Sequence, residues 1–262
     1  MARSALLNVM VQAALKAGRR LARDFGELEN LQVSRKGPGD FVSNADLQAE
    51  KTLTDELRRA RPNFGFLREE SGEEEGADKS HRWIIDPLDG TTNFLHGIPV
   101  FAISIALEHE GRIVAGVVYN PATDDLYTAE RGRGAFHNDR RMRVAARDDI
   151  HDCVIATGVP HLGRGKHKPY LGQLEKVMGE VAGIRRMGAA SIDLAYVASG
   201  RFDGYWEEFL SPWDIAAGIL LVREAGGFAT DINGGDKMFD TGSIVAGNEM
   251  ICQRLRKSLK SA

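Results

Sequence analysis

Apolar residues recur at helical spacing along the first segment, at Leu6, Met10, Ala13, Ala17, Leu21 and Phe25. That spacing predicts an amphipathic helix packed on a core rather than one lying on a membrane surface. Turn formers crowd residues 27–41, including Gly37-Pro38-Gly39-Asp40. A second helix is predicted from Ser43 to about Arg59, with Leu47, Leu53 and Leu57 inward and Pro62 as its stop. Residues 64–67 read as a short strand and residues 69–78 as an acidic loop. Trp83-Ile84-Ile85 is a buried-strand signature running into Asp86. Residues 101–108, 113–119 and 125–129 read as consecutive strands joined by short turns, and Gly132, Gly134 and Asn138-Asp139 punctuate a further hairpin.

The later pattern differs. A strand is predicted at 154–156, then a basic loop at 161–168, helices at 170–181 and 189–199, and a strand at 202–207. A strong helix at 212–225 is closed by Gly226-Gly227, a strand follows at 243–246, and Asn248 is placed to cap a terminal helix. Strands and helices interleave without a strict βαβ repeat, which predicts layered sheets and helices. The strand-rich half gives way between residues 135 and 150, so two halves are expected, 1–140 and 141–262, within one compact unit.

Composition narrows the partners. Lys and Arg total 34 against 37 Asp and Glu, a net charge of -3 over 262 residues. This argues against a protein that coats nucleic acid. Hydrophobic residues at 43% and charged residues at 27% are an ordinary globular mixture, and a chain of this length buries a core without staples. Cys153 and Cys252 make no disulfide framework and no zinc spacing. A reducing, cytoplasmic setting is the expectation. Asn8 and Gln12 interrupt the first apolar run, which is too broken for a signal peptide and too short for a membrane span.

The chemistry concentrates in carboxylates. In the run from Trp83 to Phe94, an apolar strand delivers Asp86 and Asp89 into a turn, with Pro87 stiffening the link and Gly90 relaxing the backbone. Cations held by the acids would sit beside phosphate oxygens held by the following amides, the arrangement that metal-assisted phosphoryl transfer needs. A lone D-x-x-D-G would instead be read as an Asx-turn ending a strand. Ser211-Pro212-Trp213-Asp214 and Ser43-Asn44-Ala45-Asp46 each read equally well as helix caps. Glu69 and Glu70 stand nearest a strand end, whereas Glu73, Glu74 and Glu75 read as a solvated charge run. Only convergence with Asp86 and Asp89 would make ligands of these acids.

Four ordered segments carry a resemblance: Asp40-Phe41-Val42-Ser43-Asn44-Ala45-Asp46, Glu69-Glu70-Ser71, the run from Trp83 to Phe94, and Trp213-Asp214-Ile215-Ala216-Ala217-Gly218 with Glu224-Ala225-Gly226-Gly227. Over nearly the whole chain they resemble the inositol monophosphatase family, within the lithium-sensitive, magnesium-dependent sugar-phosphatase superfamily. Tyr119-Asn120-Pro121 and Arg131-Gly132-Arg133-Gly134-Ala135 resemble its bacterial branch. The resemblance implies an α+β fold, a layered α/β/α/β/α sandwich with the metal site between its halves. It implies two or three Mg²⁺ ions and hydrolysis of a small phosphate ester by in-line attack of water. Glu69 matches the glutamate that binds the first metal and orients the attacking water. Asp86 matches the bridging aspartate. Leu88 supplies a carbonyl, and Asp89 and Asp214 match ligands of the second metal. Asp89, Gly90 and Thr91 stand on the substrate side, with Gly90 and Thr91 presenting amides to phosphate. Thr91 also holds the nucleophilic water, with Asp46 behind it. Glu207 matches an acceptor for inositol hydroxyls, and Gly188, Ala189 and Ala190 the segment touching the sugar ring. Arg185 and Arg186 precede that segment, and Arg185 is taken as a substrate contact. Arg68 departs from the family, whose members commonly have glycine there; it either pairs with the acidic loop or narrows the approach to a third metal.

The resemblance also implies a homodimer, and the broken first apolar run leads to the expectation of no membrane association. Inositol monophosphate is the expected substrate. The alternatives are histidinol phosphate, fructose 1,6-bisphosphate, a 3′-phosphonucleotide, or a regulatory and scaffolding role in a protein or RNA complex with residual phosphatase activity.

Overall fold

Side chains alternate across the long strands, so consecutive apolar residues enter different layers. Trp83, Ile85, Ile103, Ile105, Leu107, Ala115 and Val117 pack on one side, and Ile84, Ala102, Ala106 and Val118 on the other. In the computed structural model, which describes residues 3–27, 33–37, 40–161 and 165–260, these residues belong to an eight-stranded sheet. Its strands are β3 (Phe64–Arg68), β4 (Gly72–Glu74), β5 (Asp78–Asp89), β6 (Ala102–His109), β7 (Arg112–Asn120), β8 (Asp125–Glu130), β9 (Gly134–His137) and β10 (Arg140–Arg141). They are ordered β10-β9-β8-β7-β6-β5-β3-β4. Only the β3–β5 pair is parallel.

Helices α1 (Ala5–Phe25) and α2 (Asn44–Ala60) cover the first face of this sheet. Helices α5 (Ala190–Ala198) and α6 (Pro212–Glu224) cover the second. The same two helices pack on a five-stranded sheet of β11 (Val154–Thr157), β12 (Gly183–Arg185), β13 (Gly204–Glu207), β14 (Phe228–Thr230) and β15 (Ile244–Gly247), ordered β12-β11-β13-β15-β14. Its outer face carries α4 (His167–Met178) and α8 (Glu249–Lys260), packed through Ile155, Trp206 and Val245. The result is the expected five-layer α/β/α/β/α sandwich. Two short helices, α3 (Thr91–Leu95) and α7 (Met238–Thr241), lie in loops.

Several sequence expectations are corrected. Leu47 is not inward but 47% exposed. The buried stripe of α2 runs through Ala45, Ala49, Leu53 and Leu57, and Leu47 lies 200° around the helix from Ala45. The turn-rich stretch contains a hairpin, β1 (Val33–Gly37) with β2 (Asp40–Ser43); Pro38 and Gly39 lie outside the described residues. The acidic loop includes β4, which folds back on β3. Helix α4 starts at His167, three residues before its predicted start, and stops at Met178 with Gly179 as its cap. Leu162, Gly163 and Arg164 of the basic loop lie outside the described residues. Arg68 pairs with Glu74 of that acidic segment at 2.9 Å and lies over the Phe66 ring, away from the cavity described below.

Candidate active site

Strand β5 does not stop at Asp86 as expected but continues to Asp89. Asp86 faces Ser104 and Asp89 faces Ala102, so three steps on β5 oppose two on β6. Pro87 has no N–H to give the ladder, and the resulting bulge re-aims the chain. Asp86 Oδ1 accepts the Leu88 amide at 2.9 Å. Gly90 then turns at φ +90°. A β-carbon there would lie 2.9 Å from the Val100 carbonyl oxygen and 3.2 Å from Ala189 Cβ, so only glycine fits. Asn93, buried one turn on, donates to the Val100 and Met187 carbonyls at 2.8 Å each, tying the loop to the start of α5.

The cap and site readings of Asp46 and Asp214 prove compatible. Asp46 Oδ2 accepts the Ser43 amide at 2.8 Å and its hydroxyl at 2.5 Å. Asp46 Oδ1 takes a bond from the Thr91 hydroxyl at 3.0 Å. Asp214 Oδ2 accepts the Ser211 amide at 2.7 Å while its residue lines the cavity. The Glu69-Glu70-Ser71 segment is held by Glu50, a buried acid on α2: Glu50 Oε2 accepts the Glu70 amide at 2.9 Å and Oε1 the Ser71 hydroxyl.

One cavity of about 370 Å³ collects most of the sequence candidates. Glu69, Asp86, Leu88, Asp89, Gly90 and Thr91 line it from the earlier part of the chain, and Gly188, Ala189, Ala190, Glu207 and Asp214 from the later part. Asp46 stands behind Thr91 rather than in the wall. Arg185 is the exception among the expected substrate contacts. It is exposed, donates to its neighbour's carbonyl at Ile184, and is absent from the cavity wall. Arg186, one residue on and past the end of β12, lines the cavity instead.

Electrostatics make this an acid trap. Burial, then the charges of Glu69, Asp89 and Asp214, push Asp86 well above the usual carboxylate range, and Asp86 and Glu69 hydrogen-bond to each other. Burial and then Asp89 do the same to Asp214, partly offset by the Ser211 bond. Asp46 is raised chiefly by burial. Behind the site, Asp193 is raised well above its ordinary value by burial and then by Glu207. Among the described residues no three acid, histidine or cysteine side chains form a ready-made cage around one ion. Glu69, Asp86, Asp89 and Asp214 nevertheless offer hard oxygens whose mutual repulsion a divalent cation would relieve, and that donor chemistry suits Mg²⁺.

Sequence reasoning missed four contributors. Glu50 carried a signal, a carboxylate on the inward face of an amphipathic helix, one turn beyond Asp46. Asn93, Ser191, which donates to Asp89, and Tyr205, which donates to Glu207, carried none that separates them from ordinary polar or core residues.

The inositol monophosphatase family model matches residues 2–261. An inositol-1-monophosphatase of Mesorhizobium japonicum is 66% identical over 99% of this chain and 98% of its own. The Nus factor SuhB of Escherichia coli is 44% identical over 97% and 96%. The crystal structure of extragenic suppressor protein suhB from Bartonella henselae superposes with a TM-score of 0.97 at 64% identity, covering 99% of this chain and 100% of that one. The chain therefore belongs to the inositol monophosphatase family, an enzymatic family of generally metal-dependent phosphatases.

Proposed function

We propose that the protein is a Mg²⁺-dependent phosphomonoesterase that hydrolyses inositol monophosphate to inositol and phosphate. The observation that carries this reading is the gathering of Glu69, Asp86, Asp89 and Asp214 in one cavity beside the Thr91–Asp46 pair. Glu69, Asp86, the Leu88 carbonyl, Asp89 and Asp214 would hold two or three Mg²⁺ ions. When bound, the ions supply positive charge that screens the phosphate from the carboxylates and stabilises the leaving oxygen.

The chain's own groups do the rest. Gly90 and Thr91 present amides to the phosphate. The Thr91 hydroxyl, with the Asp46 carboxylate and the Leu88 carbonyl each 3.0 Å away, has one proton for two acceptors. Its lone pairs are left to orient the attacking water, together with Glu69. No phosphoenzyme is required. Glu207 accepts sugar hydroxyls, Gly188, Ala189 and Ala190 bound the ring, and Arg186 adds a cation to the wall. The 66% identical relative named inositol-1-monophosphatase supports inositol over histidinol phosphate, fructose 1,6-bisphosphate or a 3′-phosphonucleotide.

The same reading takes the protein as a cytoplasmic homodimer whose two halves, 1–140 and 141–262, share the site. Both cysteines are free and buried, in keeping with a reducing compartment. A second reading, a regulatory role in a larger complex, is supported by the name of the 44% identical Escherichia coli relative. Phosphate release from a substrate panel, with and without Mg²⁺, decides the first. Highest kcat/KM on inositol monophosphate and dependence on Mg²⁺ are expected; full activity in chelator overturns the mechanism. A stoichiometric partner retained by an inactive Asp86→Asn protein would establish the second.

A further inference from the structure

Strands β11 and β13 run parallel, with Thr157 opposite Trp206. One step further, Gly158, just past the end of β11, lies beside Glu207, the last residue of β13. A methyl group on Gly158 would coincide with the Glu207 carboxyl group, overlapping its carbon and both oxygens. Tyr205, two residues before Glu207 and so on the same face of β13, is fully buried and donates its hydroxyl to Glu207 Oε2. Gly158 and Glu207 both line the cavity. The carboxylate thus rests on bare backbone and accepts at Oε2 from a phenol enclosed in the core.

We infer that Gly158 and Tyr205 are positioning residues that set the enzyme's discrimination for polyhydroxylated phosphate esters, by fixing where the Glu207 carboxylate stands. This rests on the reading of Glu207 as the acceptor for substrate hydroxyls. A site built to hydrogen-bond a substrate hydroxyl separates it strongly from analogues lacking one, but only while the acceptor is held in place. A side chain at residue 158 evicts the carboxylate without opening the fold, because what it displaces is the end of a rotatable side chain rather than backbone.

The test compares inositol 1-phosphate with p-nitrophenyl phosphate, which has no hydroxyls to recognise. The readout is the ratio of their kcat/KM values in Glu207→Ala, Gly158→Ala, the double variant and Tyr205→Phe. Loss of a hydrogen bond to a charged group corresponds to about tenfold. Glu207→Ala and Gly158→Ala are each expected to lower the ratio about tenfold, with the double variant no lower than either. Tyr205→Phe is expected to lower it about threefold, chiefly through KM for the inositol ester. This variant removes one hydroxyl and keeps the ring, so it tests the inference even if Gly158→Ala does not fold. A ratio lowered by Glu207→Ala but unchanged in both other single variants overturns the inference and leaves Glu207 as the acceptor. Additive losses in the double variant overturn it too, since Gly158 would then act by another route. A ratio indifferent to Glu207→Ala overturns the inference together with the reading beneath it.

Discussion

Asp89 on β5 accepts two hydrogen bonds at one oxygen from Ser191 on α5, the backbone amide at 2.8 Å and the hydroxyl at 2.5 Å. The aspartate comes from the eight-stranded sheet and the serine from the helix layer between the sheets. A proposed metal ligand in one half is thereby oriented by the other. Residues that orient ligands commonly influence metal affinity about 10–100-fold. Ser191→Ala keeps the amide and removes the hydroxyl, so a rise of about tenfold in the Mg²⁺ concentration for half-maximal activity is expected. A Mg²⁺ titration of phosphate release checks it; an unshifted midpoint refutes the role.

Asp86→Asn is expected to abolish turnover and to leave a folded protein. It removes a charge that burial and three neighbouring acids oppose. The metal-free variant should melt above the metal-free parent, by about 2–4 °C for each kcal/mol of repulsion relieved. Thermal melts in chelator measure this directly, and a lower melting temperature would contradict the account of the site as a charge-strained cluster.

The same cluster sets a pH dependence. Asp86 and Asp214 titrate above the usual carboxylate range in the folded, metal-free protein. Above the ordinary aspartate pKa the native state therefore binds more protons than the unfolded state. Their contribution to stability falls as pH rises from that value through the elevated native ones. Mg²⁺ should remove this penalty and displace the protons. The rise in melting temperature on adding Mg²⁺ is expected to grow from pH 5 to pH 8, and activity to fade in acid. A Mg²⁺ effect constant across that range would argue against protons held by Asp86 and Asp214 in the metal-free site.

Glu50 makes no appearance in the cavity wall, yet it holds the Glu70 amide and the Ser71 hydroxyl. Glu50→Ala removes the acceptor of both donors; Glu70 is half-buried and Ser71 exposed, so each lost bond costs about 1 kcal/mol. Loss of several degrees in melting temperature and a raised Mg²⁺ requirement are expected. Glu50→Gln, which keeps one carbonyl acceptor, should recover part of both. Melting and Mg²⁺ titration of the two variants side by side make the comparison.

The layers and the metal-side candidates were largely legible in the sequence. Trp83-Ile84-Ile85 announces a doubly buried strand, and Ser211-Pro212-Trp213-Asp214 opens a helix at Pro212 as its capping pattern predicts. What escaped was what depends on neighbours distant in sequence. Nothing local tells that Leu47 faces solvent when Leu53 and Leu57 do not; the stripe of α2 is set by the sheet beneath it. Arg185 and Arg186 are indistinguishable as a pair, and only the end of β12 decides which one reaches the cavity. The bulge at Pro87-Leu88 was concealed because proline and glycine nearby read as a turn, whereas pairing with β6 carries the strand through.

The cavity draws its walls from three adjacent layers: Asp89 from the first sheet, Asp214 from the helices between, Glu207 from the second sheet. During synthesis, β5 emerges long before the helix bearing Asp214 exists. A nascent chain can therefore display its acidic strand without possessing a pocket, and catalytic competence arrives only with the final third of the polypeptide. Loss of activity on denaturation should accordingly coincide with separation of the layers rather than with local fraying at either terminus.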